Sequence, residues 1–469
     1  MSELWELDAL SLRAAFTAGE ATPTEAVDSC LSRIADVDRD VNAVLTLCEA
    51  RARADAVVSD GRWADGTARP LEGIPFGLKD IIDTAGIAST GGSSIYGDRV
   101  PDTDACLAAR LSDAGGVLLA KLTTYEFAFG GEINTHYGAM RNPFDLERTT
   151  GGSSGGSGAA IAAREMPLAI GTDTGGSIRL PAAYCGITGL KPTYGRVPRH
   201  GVMGLAWTLD HAGPMARTVA DVALMLDAVA GGDPRDPHAP DIPVANHLGG
   251  LEAPIAGTRV GVPTAWFFDR VHPEVRAACD AALAVLADAG CVIVPVDLPN
   301  IELAELAGWT IMAAECASYH EITFDRLPEY DTRFASRLVD AQFTTALDYL
   351  AAQRYRTIVQ AGMAQAFEHV DVLFTPGTPT TAPRFDDMLA DLGDETVPWI
   401  SVAARCTFPF NVTGMPALVL PSGLSTRGLP MSIQLAARPF DDLACLRVGH
   451  AFQQLTDHHL AVEAAHAVI

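Results

Sequence analysis

Two Gly-Gly-Ser turns, ending at Ser153 and Ser177, carry the residues of this 469-residue chain best suited to covalent chemistry. They lie in TTGGSSGGSGAAIAAREMPLAIGTDTGGSIRLPAAYC, residues 149–185, with a helix-like and a strand-like stretch between them. Glycine admits backbone conformations closed to other residues and lets a ligand approach the main chain closely. In GTDTGGSIRLP the apolar strand ends at Thr172-Asp173, and the turn sets Ser177 beside the amides of Thr174, Gly175, Gly176 and Ser177 itself. Such amides are what a tetrahedral oxyanion needs. A serine on a sharp turn beside main-chain donors follows the logic of a nucleophile elbow, although G-x-S-x-G itself is absent. Taken alone, GGSSGGSG also suits a flexible linker or a phosphate cradle. No lysine follows the glycines as a P-loop requires, and Gly151 follows a polar run where a dinucleotide fold wants a strand.

A nucleophilic serine needs a base. None of the twelve histidines sits in a setting like these turns. His136, His200 and His211, the nearest in sequence, read as ordinary polar or surface residues. Lys79, in GIPFGLKDIID, is flanked by Phe76, Leu78, Ile81 and Ile82. Burial among such neighbours lowers a lysine's pKa towards the neutral, basic form. The plainer alternative is a lysine at a strand end that points to water.

The elements that must position these residues alternate along the chain. Helix-like patterns cover 10–19 and 24–36, the second with a Thr-Pro-Thr-Glu start that suits an N-cap. A disordered-looking connection, 59–69, precedes the apolar stretch 73–82. Helix-like 104–114 leads into strand-like 117–120, helix-like 155–163 into strand-like 167–171, and 218–230 is again helical. Strands at 259–263, 292–296 and 370–375, with a helix at 273–289, complete the alternation. Short continuous apolar runs between helices predict an α/β sheet covered on both faces. Residues 232–243 read as a long exposed loop. No internal repeat or clean boundary divides the chain, so one unit over 1–469 is expected. Within it, 70–230 forms the core, 300–384 a helical insertion or lid, and 400–469 a C-terminal sheet and helix.

The formal charge of −25 disfavours a nucleic-acid groove, which relies on clustered Lys and Arg, and an anionic membrane surface. Nine scattered cysteines without a C-x-x-C pair indicate neither a zinc site nor a disulfide framework. MSELWELDALSLRAAF reads as an amphipathic helix rather than an export signal, and no run reaches membrane-span length. A cytoplasmic protein without metal or cofactor is expected. Its partner would be a small amide-type substrate, not nucleic acid or membrane, and the assembly considered is a homodimer.

Taken together, GIPFGLKD (73–80), GGSSGGS (151–157) and GTDTGGSIRLPAAYCG (171–186) resemble the amidase signature family. The resemblance continues through GLKPTYGRVP, DHAGPMARTVADVALML, FNVTGMPALVLPSG and GLPMSIQLAARPFDD, and is weakest across 300–365. It implies the family's fold, a large mixed sheet between helices, and a Ser–cis-Ser–Lys triad. Ser177 then falls on the nucleophile, Ser153 on the cis-serine, preceded by a non-proline cis peptide, and Lys79 on the base. Thr174, Gly175, Gly176 and Ser177 supply the oxyanion amides, and Asp173, Arg179 and Ser154 brace the loops. In AKLTTYEFAFG (120–130) the chain has Leu122-Thr123 where the family has Thr-Asn.

Substrate contacts are expected from Tyr125, Phe127 and Ser154, with Phe129, Trp309, Phe408 and Phe410 as further aromatic candidates. Tyr319, Arg326, Tyr330 and Arg333 are the alternative, as a carboxylate-binding set. The leading functional reading is a hydrolase of linear amides, with esters, carbamates and ureides open to the same acyl transfer. The alternative within the family is a glutamine-dependent amidotransferase A-type subunit that makes ammonia for a partner. From another class comes a catalytically inactive binding subunit.

Overall fold

The computed structural model describes residues 3–461, so residues 1–2 and 462–469 of the expected single unit lie outside the described residues. Eleven strands form the main sheet: β1 (Val44–Leu47), β2 (Pro75–Lys79), β3 (Val117–Leu122), β4 (Leu168–Asp173), β5 (Thr188–Lys191), β6 (His211–Ala216), β7 (Arg259–Pro263), β8 (Val292–Val296), β9 (Val372–Pro376), β10 (Ala417–Leu424) and β11 (Pro430–Ala436). In this numbering the order across the sheet is β1-β3-β2-β4-β6-β5-β10-β11-β9-β7-β8. Strand β2 runs parallel to β3 and β4, and β7 runs parallel to β8 and β9. From β4 through β6, β5, β10 and β11 to β9 every neighbour is antiparallel. The sheet is mixed, as expected.

Helices cover both faces because the strands are apolar on both. Successive side chains of a strand point to opposite faces. In β4, Leu168 and Ile170 join an apolar cluster with residues of α1 (Ala9–Ala18), while Ala169 joins another with residues of α2 (Pro23–Val41). The expected cap of α2 is present: Thr22 accepts from the Glu25 amide and Glu25 reaches back to the Thr22 amide.

Residues 59–69 are not a disordered connection. Their first part ends helix α3 (Glu49–Ala64). The cause is Glu72, which is buried, accepts from Ser59 Oγ at 2.7 Å and from Arg69 Nε at 2.5 Å, and whose carbonyl accepts from Trp63 Nε1 at 3.1 Å. Residues 232–243 contain no helix or strand. Further along come α4 (Cys106–Asp113), α5 (Gly155–Ala162), α6 (Arg179–Tyr184), α7 (Val219–Val229) and α8 (Pro273–Asp288). Between 300 and 384 the chain forms α9 (Leu303–Tyr319), α10 (Thr332–Ala341) and α11 (Ala346–Ala366), then returns to the sheet as β9. Helices α12 (Phe408–Thr413) and α13 (Asp442–Leu455) follow. Among the described residues no helix is long and apolar enough to cross a membrane.

Candidate active site

Lys79 is the last residue of β2, a strand buried along its whole length. Its Nζ lies 2.6 Å from Ser153 Oγ and 2.7 Å from Thr172 Oγ1. Burial pushes its pKa down to about 7, against the opposing pull of Asp173 and Asp210. A lysine pointing to water is therefore ruled out; the amine is held dry, near its midpoint at neutral pH, against a serine hydroxyl.

The Gly152–Ser153 peptide is cis. Gly152 lies flat against the Tyr125 ring, where a Cβ would come within 2.2 Å of Cζ. Ser153 and Ser177 share the wall of a cavity of about 70 Å³. The Ser177 carbonyl accepts from the Ser154 amide at 3.2 Å, which couples the two glycine turns. Unlike Lys79, Ser177 is only half-buried.

The turn that presents Ser177 is braced from behind. Asp173 Oδ1 and Oδ2 accept from Arg179 at 2.9 and 3.0 Å. Arg179 also donates to the Thr407 carbonyl, Gln434 Oε1 and Asn411 Oδ1 at 2.9, 2.9 and 2.6 Å. Burial alone would raise the Asp173 pKa, but the guanidinium outweighs it and holds the carboxyl well below the usual carboxylate range. Both side chains are fully buried, so the bracing role expected of this pair has a geometric basis. One oxyanion donor is corrected. The Gly176 amide already donates to Asp173 Oδ1 at 2.9 Å, so the loop offers the amides of Thr174, Gly175 and Ser177. Gly176 has φ +133, and a Cβ there would meet Thr407 Oγ1 at 2.6 Å.

The substrate-contact expectations divide. Tyr125 lines the cavity, together with Phe129, Trp309 and Phe408. Phe127 does not: it is 2% exposed and packs on the rings of His320 and Phe334 at 4.6 and 5.6 Å. The reason is local, since Phe127 and Ala128 adopt φ of +44° and +61°, which turns Phe127 away and delivers Phe129. Ser154 is also corrected. Its Oγ donates to the Thr172 carbonyl and accepts from the Thr172 amide, both at 3.1 Å, within the protein interior. Phe410 stacks on Phe267 in the core. His211 is not a surface residue but is buried, with Nδ1 2.6 Å from the Leu209 carbonyl.

Of the carboxylate-binding set, none lines the cavity. Arg326 pairs with Glu329 on the surface, Arg333 pairs with Glu132, and Tyr330 bonds Thr323 and His320. The cation at the cavity is Arg337, one helical turn beyond Arg333 on α10. It donates to the Phe129 and Gly130 carbonyls, the latter at 3.0 Å, and lies 4.4 Å over the Phe129 ring. Burial lowers its pKa, and among the described residues no carboxylate lies within ion-pair reach of it. Glu132, also at the cavity wall, is the carboxylate whose charge acts against that lowering. An i, i+4 reading of Arg333 and Arg337 on one helix face would have found Arg337. Trp399, another wall, had no signal in the sequence. Among the described residues no group of three or more His, Cys, Asp or Glu is placed to hold a metal.

Ser153 and Ser177 face one cavity and Lys79 stands behind Ser153, an arrangement of amine, serine and second serine suited to acyl transfer. The family model named Amidase matches residues 25–446. The chain belongs to the amidase signature family and is an enzyme of the carbon–nitrogen hydrolase type. Among its relatives, the A-type subunit of a glutamyl-tRNA(Gln) amidotransferase from Roseiflexus sp. (strain RS-1) is 42% identical over 489 residues, covering 98% of each chain. Two solved structures are also similar. One, from a vestigial protein complex bearing on the origins of an s-triazine catabolic enzyme, superposes with a TM-score of 0.91 at 35% identity, over 96% of this chain and 98% of that one. The other, the A-type subunit of the Thermotoga maritima glutamyl-tRNA(Gln) amidotransferase, gives 0.81 at 27%, over 97% and 96%.

These relatives overturn the partner expectation. A small-molecule substrate alone, no nucleic acid and a homodimer do not agree with relatives named as subunits of an enzyme for glutamyl-tRNA(Gln). The acidic charge argued only about this chain's own surface, and a second polypeptide can carry the phosphate contacts.

Proposed function

We propose that the chain is an amidotransferase A-type subunit that releases ammonia from glutamine through an acyl-enzyme on Ser177, for use by a partner. This places the family alternative ahead of the free amidohydrolase, which the sequence put first. The carrying observation is Arg337: a half-buried guanidinium at a cavity of about 70 Å³ that, among the described residues, donates to carbonyls and pairs with no carboxylate. Such a cation lacks a carboxylate, and the α-carboxylate of glutamine supplies one, with Glu132 on the same wall for the α-ammonium. The Phe129, Trp309 and Phe408 rings suit the methylenes between.

In this reading neutral Lys79 takes the proton that Ser153 relays from Ser177. Ser177 Oγ attacks the side-chain amide carbon, and the amides of Thr174, Gly175 and Ser177 hold the oxyanion. The proton returns through Ser153 to the leaving nitrogen, the C–N bond breaks, and ammonia departs. Water then repeats the path and releases glutamate.

The test incubates the purified chain with a fluorophosphonate and maps the adduct, then measures ammonia from glutamine with and without co-expressed partner subunits. A Ser177 adduct, absent in Ser177→Ala, and partner-stimulated glutamine turnover are expected. An adduct that survives Ser177→Ala sinks the mechanism. Preference for another carboxylated amide without any partner would return the chain to the free amidohydrolase.

A further inference from the structure

The segment that turns Phe127 away from the cavity contains a buried carboxylate that the chemistry above does not use. Glu126 is 1% exposed. Its Oε1 accepts from Ser93 Oγ at 2.5 Å, and its Oε2 accepts from the backbone amide of Asp331 at 2.6 Å. Asp331 is the N-cap of α10 and accepts from the Arg333 amide at 3.0 Å and the Thr135 amide at 3.2 Å. Glu126 therefore ties the start of α10 to the strained turn that shapes the cavity wall.

The rest of that contact runs along α10. Phe334 packs on Phe127, and Arg337 reaches the carbonyls of Phe129 and Gly130. Two consecutive non-glycine residues at positive φ are strained, so the turn needs support from outside. A helix fixed at its N-cap is also fixed in rotation and height. A shift of one residue along α10 would move Arg337 by about 1.5 Å and 100°.

We infer that Glu126 is a positioning residue: its buried carboxylate, bridging Ser93 and the Asp331 amide, holds α10 in the register that delivers Arg337 to the cavity. The inference rests on the proposed role of Arg337 as the substrate-carboxylate partner, not on glutamine as the substrate. It makes a distinctive demand on side-chain chemistry. Glutamine at this position keeps both contacts, accepting from Asp331 through its oxygen and donating to Ser93 Oγ through its amide. Alanine keeps neither. The charge of Glu126 is dispensable while its shape and acceptor are not.

The experiment reads binding apart from triad chemistry. Ser177 of the full chain is labelled with a fluorophosphonate in the presence of increasing glutarate, an unhydrolysable diacid without an amino group. The labelling rate without glutarate reports the triad, and the half-protecting concentration reports Arg337. Glu126→Ala is expected to raise that concentration roughly 10- to 100-fold, the worth of a hydrogen bond to a charged group, with the labelling rate within about threefold. Glu126→Gln should stay within about threefold of the unaltered chain. In an Arg337→Ala background, Glu126→Ala should add less than about twofold, because the two act as one unit.

Unchanged protection in Glu126→Ala overturns the inference, as does a Gln variant that fails like Ala, or a full effect without Arg337. If Glu126→Ala does not fold, Ser93→Ala removes one arm of the bridge and should raise the half-protecting concentration several-fold; no change there also overturns it. Glutarate protection in a chain that never releases ammonia from glutamine would dismiss the glutamine reading and leave this comparison standing.

Discussion

At the scale of single residues the site turns on how an amine is kept neutral. Among the described residues Lys79 makes no ion pair; its Nζ hydrogen-bonds two hydroxyls, and burial lowers its pKa to about 7. A base works only when deprotonated, so activity should rise with pH through about 7 and level off above it. The measurement is kcat/KM, or the fluorophosphonate labelling rate, from pH 5 to 9. A flat profile would show that another group is the base, and a rate still climbing at pH 9, towards the ordinary lysine value of about 10.4, would show that burial does not keep the amine neutral. Lys79→Ala should lower the labelling rate by about 10²–10⁴-fold. The glycine turns that hold Ser153 and Ser177 and the apolar strand that ends at Lys79 were legible because they are written locally. Arg337 was not: it is one arginine among several on a helix, and only tertiary packing selects it over Arg333.

At the scale of elements two turns and a strand end converge on one place. Strand β2 carries Lys79, β4 leads to Asp173 and the Ser177 turn, and α5 begins just beyond Ser153. The parallel pairing of β2 with β4 brings the ends of both strands together. Gly152 is the tightest point of this assembly, since a Cβ would stand 2.2 Å from the Tyr125 ring. Gly152→Ala is expected to abolish fluorophosphonate labelling, while far-ultraviolet circular dichroism stays that of a folded protein. Normal labelling in that variant would mean that Tyr125 yields freely and does not set the turn. Strands β2, β3, β4, β7, β8 and β9 and helices α1, α2, α4, α5, α7 and α8 were legible from apolar runs. Helix α3 was not: no helix was expected at 49–58, and its last residues fell inside the expected disordered connection, because Glu72 meets Ser59 and Trp63 only in the fold. The Phe127–Phe129 exchange was equally hidden, since nothing in YEFAF announces two left-handed residues.

At the scale of the molecule, Arg179 is the knot. It joins Asp173 in the site to Thr407, Asn411 and Gln434, residues from the far end of the chain. Removing one partner of a buried ion pair costs about 3–5 kcal/mol because the other charge is left unpaired. Arg179→Met should therefore lower the denaturant midpoint and abolish labelling together. The pH dependence follows the same pair. Asp173 has a depressed pKa, so its contribution to stability is complete above the unfolded carboxylate value of about 3.9 and fades as pH falls below it. Acid unfolding of the unaltered chain should show this loss, and Arg179→Met should blunt it. An acid profile unaltered by the substitution would place the acid-sensitive group elsewhere.

The same knot has a consequence for how the protein is made. Arg179 and Gln434 are 255 residues apart in the chain. At synthesis rates of about 5–20 residues per second, roughly 10–50 s separate the emergence of the serine from that of its last brace. Throughout that interval the nascent polypeptide carries Lys79, Ser153 and Ser177 without the scaffold that aligns them. On the proposed function, acylating power should arrive only with the final strands.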